Sequence, residues 1–169
     1  MKYFNQFLIE NYKFSSVQVK MPDDISKMIV EFGMEIPKKH LAADGRDDRP
    51  HITIKYGIHS ESVDVLDDIT LPDKITAVMG KTSLFENDTD VLKVDIISQD
   101  LSDLNMAITK GTKTTQTQCE YHSHVTIAYL LKGKGQKYTN DDRFEGKEIE
   151  FNNIEFSSKN DNKYIKINL

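Results

Sequence analysis

The chain has 169 residues, of which 38% are hydrophobic and 29% charged, a composition typical of an ordinary soluble globular protein. A net charge of −5 argues against a surface that tracks long nucleic acid, because affinity for a phosphate backbone comes from many Lys and Arg contacts. Cys119 is the only cysteine, which excludes an internal disulfide and favours a reducing compartment. We therefore expect a cytoplasmic protein with no membrane partner, formed by one domain, 1–169, of two lobes.

The first half of the chain predicts a strand, a helix and a second strand. Alternating apolar residues indicate the strands, and apolar residues at helical spacing after Pro22 indicate the helix. The predicted elements are a short helix or arm at 4–12, a strand at 16–21, a helix from Pro22 to Gly33 or Pro37, a charged loop at 38–50 and a strand that begins at His51.

The second half predicts the same order of elements, followed by a carboxyl-terminal pair of strands. A helix with Asp100 or Ser102 as its cap should end at Gly111. The other predicted elements are a helical segment at 60–68, strands at 75–85 and 91–96 joined by a hairpin turn, a polar loop at 112–118, a strand that begins at His124, a Gly- and Lys-rich connection at 132–144, and strands at 148–156 and 163–167.

One short motif occurs in both halves, as His51-Ile52-Thr53-Ile54 and as His124-Val125-Thr126-Ile127. Each copy alternates polar and apolar residues with the period of a strand, so that His and Thr share one face. A neutral imidazole takes a proton, an imidazolium gives one, and a hydroxyl hydrogen-bonds a phosphate oxygen. Two such strands facing one cleft would supply an acid, a base and an oxyanion clamp, although which histidine is the acid stays open.

The segments 50–57 and 123–129, which contain these motifs, resemble the 2H phosphoesterase superfamily. Within it they are most similar to phage phosphodiesterases that degrade the cyclic nucleotide signals of bacterial CBASS immunity. The resemblance implies an α/β (α+β) fold that is bilobal and pseudo-symmetric, with two antiparallel sheets flanking a central cleft and helices outside. It also implies cofactor-free, metal-independent cleavage of ribonucleotide phosphodiesters, with His51, Thr53, His124 and Thr126 as the catalytic residues.

The expected substrate is a small cyclic di- or trinucleotide. If the protein is phage-encoded, its expected location is the host cytoplasm. Lys55 shares the face of His51 by alternation and is a candidate phosphate ligand, although an exposed lysine fits the pattern equally well. Lysines after the second motif are candidates for the same role, and aromatic residues for base stacking. The candidate substrate-binding residues are Tyr12, Lys55, Tyr121, Lys132 and Lys134.

Three alternatives stay open at this point. The first is an RNA-end enzyme that opens 2',3'-cyclic phosphates or 2',5' linkages, and the second is a protein that sequesters a nucleotide without cleaving it. The third is a metal site at Cys119, His122 and His124, which is disfavoured because zinc needs three or four ligands and no second cluster supplies them. His122 is instead expected beside the site or on the surface, and His40 and His59 in solvent.

Overall fold

The computed structural model describes residues 14–116, 120–159 and 164–169. These residues form nine strands in one antiparallel sheet and two α-helices, which confirms the predicted α+β class. The helix or arm expected at 4–12 lies outside the described residues. The helices are α1 (Asp23–Glu35) and α2 (Gln99–Gly111), and the strands are β1 (Ser15–Lys20), β2 (Leu41–Arg46), β3 (His51–Ile58), β4 (Ile75–Glu86), β5 (Asp90–Ile97), β6 (His124–Leu130), β7 (Glu148–Phe151), β8 (Asn153–Ser157) and β9 (Tyr164–Asn168).

The sheet corrects the prediction of two separate sheets. Its strand order is β7-β4-β5-β6-β3-β1-β8-β9, with β2 paired to the far end of β6. β3 of the first half and β6 of the second half pair antiparallel, at Ile52 and Val125. The two strands that carry the repeated motif are therefore neighbours at the centre of one sheet.

Helix α1 forms as the apolar spacing predicts. Ile25, Ile29 and Phe32 are buried, and the helix packs against β6 and β2. Its carboxyl end is held from outside the helix, because the guanidinium of Arg46 donates to the carbonyl oxygens of Gly33 and Ile36. Arg46 thereby gives the carbonyl of the cap residue Ile36 a donor and adds a second donor to the Gly33 carbonyl, which also accepts from the Ile36 backbone N–H.

Helix α2 buries Leu101, Leu104 and Ile108 and packs against β3 and β4. Its cap is Ser98, whose hydroxyl accepts from the backbone N–H of Leu101, so the predicted caps Asp100 and Ser102 are wrong. The Asp100 carboxylate accepts hydrogen bonds from Thr76 of β4 instead. The helix consequently begins at Gln99, two residues before the start that an Asp100 cap would give.

Three other segments differ from the sequence prediction. The expected loop 38–50 contains a 3-10 helix, Lys38–His40, and strand β2. The segment 60–68 forms only a short 3-10 helix at Val63–Leu66. The expected strand 148–156 is two strands, because β7 pairs with β4 while β8 pairs with β1 and β9. Within the described ranges, no helix is both long and apolar enough to cross a membrane.

Candidate active site

The register between β3 and β6 brings the four motif residues together. Ile52 and Val125 are fully buried and pair antiparallel, so that His51 lies towards Thr126 and Thr53 lies towards His124. All four polar residues are partly exposed and line one cavity of about 430 Å³. The aliphatic residues of each motif belong to the hydrophobic core on the opposite face. The predicted sharing of one cleft by both motifs is therefore present, whereas the catalytic roles stay predictions.

Both imidazoles are oriented by the same type of hydrogen bond. Nδ1 of His51 lies 2.9 Å from the carbonyl oxygen of Arg49, and Nδ1 of His124 lies 2.7 Å from the carbonyl oxygen of His122. Because a carbonyl oxygen only accepts, Nδ1 carries the hydrogen in each ring. The Nε2 atom of each histidine is thus the nitrogen that can exchange a proton with a substrate.

The two histidines have different electrostatic surroundings. Burial lowers the pKa of His124, and the positive charge of Lys93 and the nearby His51 lower it further, while the His122 carbonyl and Asp95 oppose this effect. On the other strand, the Asp47 carboxylate lies 3.8 Å from Nδ1 of His51, an ion-pair distance when that ring is protonated. The cavity therefore favours a neutral His124 and offers a counter-ion to a charged His51.

The segment 47–50 before the first motif is a loop, as predicted, and it is anchored at the site. The guanidinium of Arg49 donates to both carboxylate oxygens of Glu155 at 3.0 and 2.8 Å, and it stacks 3.6 Å above the ring of Tyr164. Its backbone N–H donates to the Asp47 carboxylate. The carbonyl that orients His51 is consequently fixed by contacts with β8 and β9.

The repeated motif extends beyond the threonine on each strand. Each copy continues to a tyrosine, Tyr56 or Tyr129, and both tyrosines line the cavity. A register shift after each threonine, between β1 and β3 and between β5 and β6, interrupts the simple alternation. The hydroxyl of Tyr129 is within hydrogen-bonding reach of Thr126, and burial raises the pKa of Tyr129. The signal for these residues was present as a shared His-x-Thr-x-x-Tyr spacing.

Lys55 and Tyr121 are the predicted substrate-binding residues that the structure brings to the cavity. Lys55 is only 6% exposed, so the alternative of an exposed lysine is wrong, and its Nζ donates to Oε1 of Gln116 at 3.1 Å. Burial lowers the pKa of Lys55. The Tyr121 hydroxyl donates to the backbone carbonyl of Thr53 at 3.1 Å, and burial raises its pKa.

Lys132 and Lys134 do not line this cavity, although they follow the second motif closely in sequence. Nζ of Lys132 lies 3.6 Å from the Asp90 carboxylate. Lys134 lies near His40, whose pKa is lowered mainly by burial and to a smaller extent by the positive charge of Lys134. Tyr12 lies outside the described residues. His40 and His59 are not simply solvated, because their rings bond the hydroxyls of Tyr138 and Thr115.

The metal alternative finds no further support in the described part of the chain, where no group of three His, Cys, Asp or Glu residues is arranged to hold an ion. Cys119 lies outside those residues. His122 lines the cavity, and its Nε2 lies 3.5 Å from the Glu120 carboxylate.

The fold of the chain matches solved structures at low sequence identity. No family model and no curated protein matches the sequence. Escherichia coli LigT complexed with 3'-AMP is 11% identical, with a TM-score of 0.66 over 93% of this chain and 95% of LigT. Kluyveromyces marxianus Usb1 is 9% identical, with a TM-score of 0.62 over 93% of this chain and 98% of Usb1. The protein TT0787 of Thermus thermophilus is 13% identical, with a TM-score of 0.59 over 92% of this chain and 94% of that chain. The chain therefore has the fold of these proteins over nearly its whole length.

Proposed function

We propose that the protein is a metal-independent phosphodiesterase that cleaves ribonucleotide phosphodiester bonds with two histidines. The observation that carries this proposal is the antiparallel register at Ile52 and Val125, which gathers two histidines and two threonines around one cavity. Phosphodiester cleavage needs removal of a proton from an attacking hydroxyl and delivery of a proton to the departing oxygen. Two imidazoles with Nε2 free for exchange supply both steps without a bound ion.

His124 is the base in this mechanism and His51 the acid. Burial and Lys93 favour the neutral form of His124, so its Nε2 accepts the proton of a ribose hydroxyl or a water molecule as that oxygen bonds to phosphorus. The bond from phosphorus to the leaving oxygen then breaks, and protonated His51 gives that oxygen the proton on Nε2. In this mechanism the Asp47 carboxylate, 3.8 Å from Nδ1 of His51, is the counter-ion of the protonated ring.

Thr53 and Thr126 stabilise the negative charge that develops on the nonbridging oxygens. Each threonine lies across the strand pair from the histidine of the other motif. A phosphate bound in the cavity can therefore contact a hydroxyl and an imidazole on each of the two sides. Fixed donors at such positions are among the largest contributions to catalysis. Tyr129 lies within hydrogen-bonding reach of Thr126 and orients the Thr126 hydroxyl towards the phosphate in this mechanism.

The structural neighbours support a phosphodiester substrate of nucleotide size. LigT and Usb1 are members of the 2H phosphoesterase superfamily, which the segments around the two motifs resemble. LigT has been solved with 3'-AMP and with phosphate, and Usb1 with uridine monophosphate. The cavity of about 430 Å³ falls within the range of pockets that enclose a small ligand.

A cyclic di- or trinucleotide is our proposed substrate, as in phage enzymes that remove CBASS signals inside the host cell. The chain is acidic overall, with a net charge of −5, so it is poorly suited to recruit long RNA. A compact ring needs only the one cavity, where Lys55 is available for a phosphate and Tyr121 for a base. The second candidate is an RNA 2',3'-cyclic end, which the mononucleotide complexes of LigT and Usb1 favour.

The experiment is a side-by-side time course with a cyclic dinucleotide, its 2'-deoxy analogue and a short RNA with a 2',3'-cyclic end. We expect the cyclic dinucleotide to be cleaved fastest. If the attacking group is the adjacent ribose hydroxyl, the deoxy analogue binds and resists cleavage. If the RNA end is opened faster than the cyclic dinucleotide, the RNA 2',3'-cyclic end is the better substrate and the first candidate is wrong. Binding of one equivalent with no turnover of excess ligand favours the sequestering protein and contradicts the enzyme.

A further inference from the structure

A buried lysine lies beside the second histidine, and it neither gives nor accepts a proton in the proposed mechanism. The side chain of Lys93 is only 7% exposed. Its Nζ donates to the hydroxyl of Ser83 at 2.6 Å, pairs with the Asp95 carboxylate and lies 4.4 Å from the ring centroid of Phe85. Burying a lysine is costly unless its charge is compensated, and these three contacts compensate it.

The register of β5 and β6 connects this cluster to the second motif. Lys93 is paired with Thr126, and Asp95 is paired with His124. The ring of Phe85 meets the imidazole of His124 edge-on, with centroids 4.9 Å apart and an interplanar angle of 88°. Lys93 therefore contacts Phe85, and Phe85 contacts the His124 imidazole, while Lys93 itself does not line the cavity among the residues described.

The first motif has a different neighbour at the corresponding positions. On β1, the uncharged Gln18 is paired with Thr53, and Lys20 is paired with His51. Lys20 is exposed and bonds Asp23, so it does not bring a buried charge to the first histidine. At these cross-strand positions, a buried lysine accompanies the second histidine and not the first.

The charged and titratable groups that act on His124 come from several elements. Lys93 and Asp95 approach it from β5 with opposite effects, and His51 approaches from β3. On its own segment, the His122 carbonyl accepts the hydrogen of Nδ1, and the His122 ring lies near Glu120. Burial and Lys93 favour the neutral ring, whereas Asp95 and the His122 carbonyl favour the charged one.

We propose that Lys93 is a positioning residue for His124, which holds Phe85 against the imidazole and keeps a fixed positive charge beside it. This role rests on the proposed function in that it gives His124 the neutral form that a base needs. The lysine does not touch substrate, so its removal should lower kcat and leave KM nearly unchanged.

The test is an NMR titration of the histidine ring protons in the full chain, with the His124 signal assigned from its loss in the H124Q variant. Lys93→Met should raise the pKa of His124, because the neighbouring positive charge is gone while Asp95 is retained. Lys93→Arg keeps the positive charge, so the pKa of His124 in this variant should be close to that in the original protein. An unchanged titration in Lys93→Met overturns the proposal.

Asp95→Asn is the second variant, and it keeps the test decisive if Lys93→Met does not fold. The Asp95 side chain is 48% exposed, so this substitution should be tolerated. It leaves the lysine charge unopposed and should lower the pKa of His124, the opposite of the effect of Lys93→Met. An unchanged or raised pKa in Asp95→Asn contradicts the proposal.

Turnover gives an independent measurement. In Lys93→Met, the acidic limb of the pH–kcat profile should move to higher pH, and kcat near neutral pH should fall about tenfold, as expected for loss of alignment of a catalytic group. Lys93→Arg should recover part of this loss. If the original protein cleaves no phosphodiester, the proposed function fails, whereas the NMR titration still decides the role of Lys93.

Discussion

Ile52 and Val125 face each other across β3 and β6, and this pair places each histidine opposite the threonine of the other motif. Both aliphatic side chains are fully buried. Because side chains alternate along a strand, the two residues on either side of each aliphatic residue must then lie on the cavity face. The packing of the core and the geometry of the candidate site are therefore fixed by the same residue pair.

Ile52→Ala should lower both stability and activity. Removal of a buried isoleucine side chain down to alanine commonly costs about 2–5 kcal/mol of unfolding free energy, and here the resulting cavity lies beneath both motifs. Ile52→Val is the matched control, with an expected cost of about 0.5–1.5 kcal/mol. Urea unfolding measures the unfolding free energy of both variants. An Ile52→Ala protein as stable as the original would show that the pair does not hold the site.

Thr53→Val and Thr126→Val should each reduce kcat with little loss of fold. A donor to the nonbridging oxygens is worth about 2.7–4 kcal/mol, or roughly 10²–10³ in kcat. Thr112→Val is the control, because the Thr112 hydroxyl bonds the Ile108 carbonyl of α2 and neither residue lines the cavity. Steady-state kinetics on the preferred substrate checks this expectation. Equal kcat values for all three variants would remove the threonines from the mechanism.

Tyr129→Phe tests the extension of the second motif. The change removes the hydroxyl next to Thr126, and the loss of one hydrogen bond of about 0.5–1.5 kcal/mol corresponds to a fall of roughly two- to tenfold in kcat. Tyr138→Phe is the matched control, since the Tyr138 hydroxyl bonds His40 outside the cavity. If both variants keep full kcat, Tyr129 is not needed to orient Thr126.

The lowered pKa of His124 predicts how stability depends on pH. The unfolded chain protonates this histidine near the ordinary value of 6.5, whereas the folded chain resists protonation. The unfolded state therefore binds more protons as the pH falls below 6.5, and stability is lost from there down to the lower pKa of the folded state. His124→Gln should lose less stability between about pH 7 and pH 5 than the original protein. Urea unfolding at both pH values measures the difference, and an equal loss in both proteins contradicts the expectation.

Much of the fold could be predicted because it depends on local periodicity. The stripe of Ile25, Ile29 and Phe32 and the alternation around both motifs are short-range patterns, and the structure confirms their elements. Strand β2 has no such pattern, and it forms because β6 offers it backbone partners. The cap of α2 was missed because Asp100 is used by Thr76, a residue distant in sequence.

The candidate site was predictable where the repeat marked it and at Lys55 and Tyr121, which also line the cavity. His51, Thr53, His124 and Thr126 are present in the pattern itself, and so are the two tyrosines that follow. Arg49 and Lys93 act through long-range contacts and strand register, for which a single sequence contains no signal. Asp47 acts on His51 across only four residues, but its role depends on how the loop folds. Lys132 follows the second motif closely in sequence, but it lies beside Asp90 and not in the cavity.

The most direct test of two-histidine, metal-independent catalysis is turnover of excess cyclic dinucleotide in the presence of EDTA, by the original protein and by His51→Ala, His124→Ala and the control His40→Ala. We expect undiminished turnover by the original protein and by the control, and a loss of about 10²–10⁴-fold in either active-site variant. The double variant should be little worse than either single one, because the two residues act as a unit. Abolition of turnover by the chelator with recovery on added zinc, or near-normal turnover by either active-site variant, would contradict the mechanism.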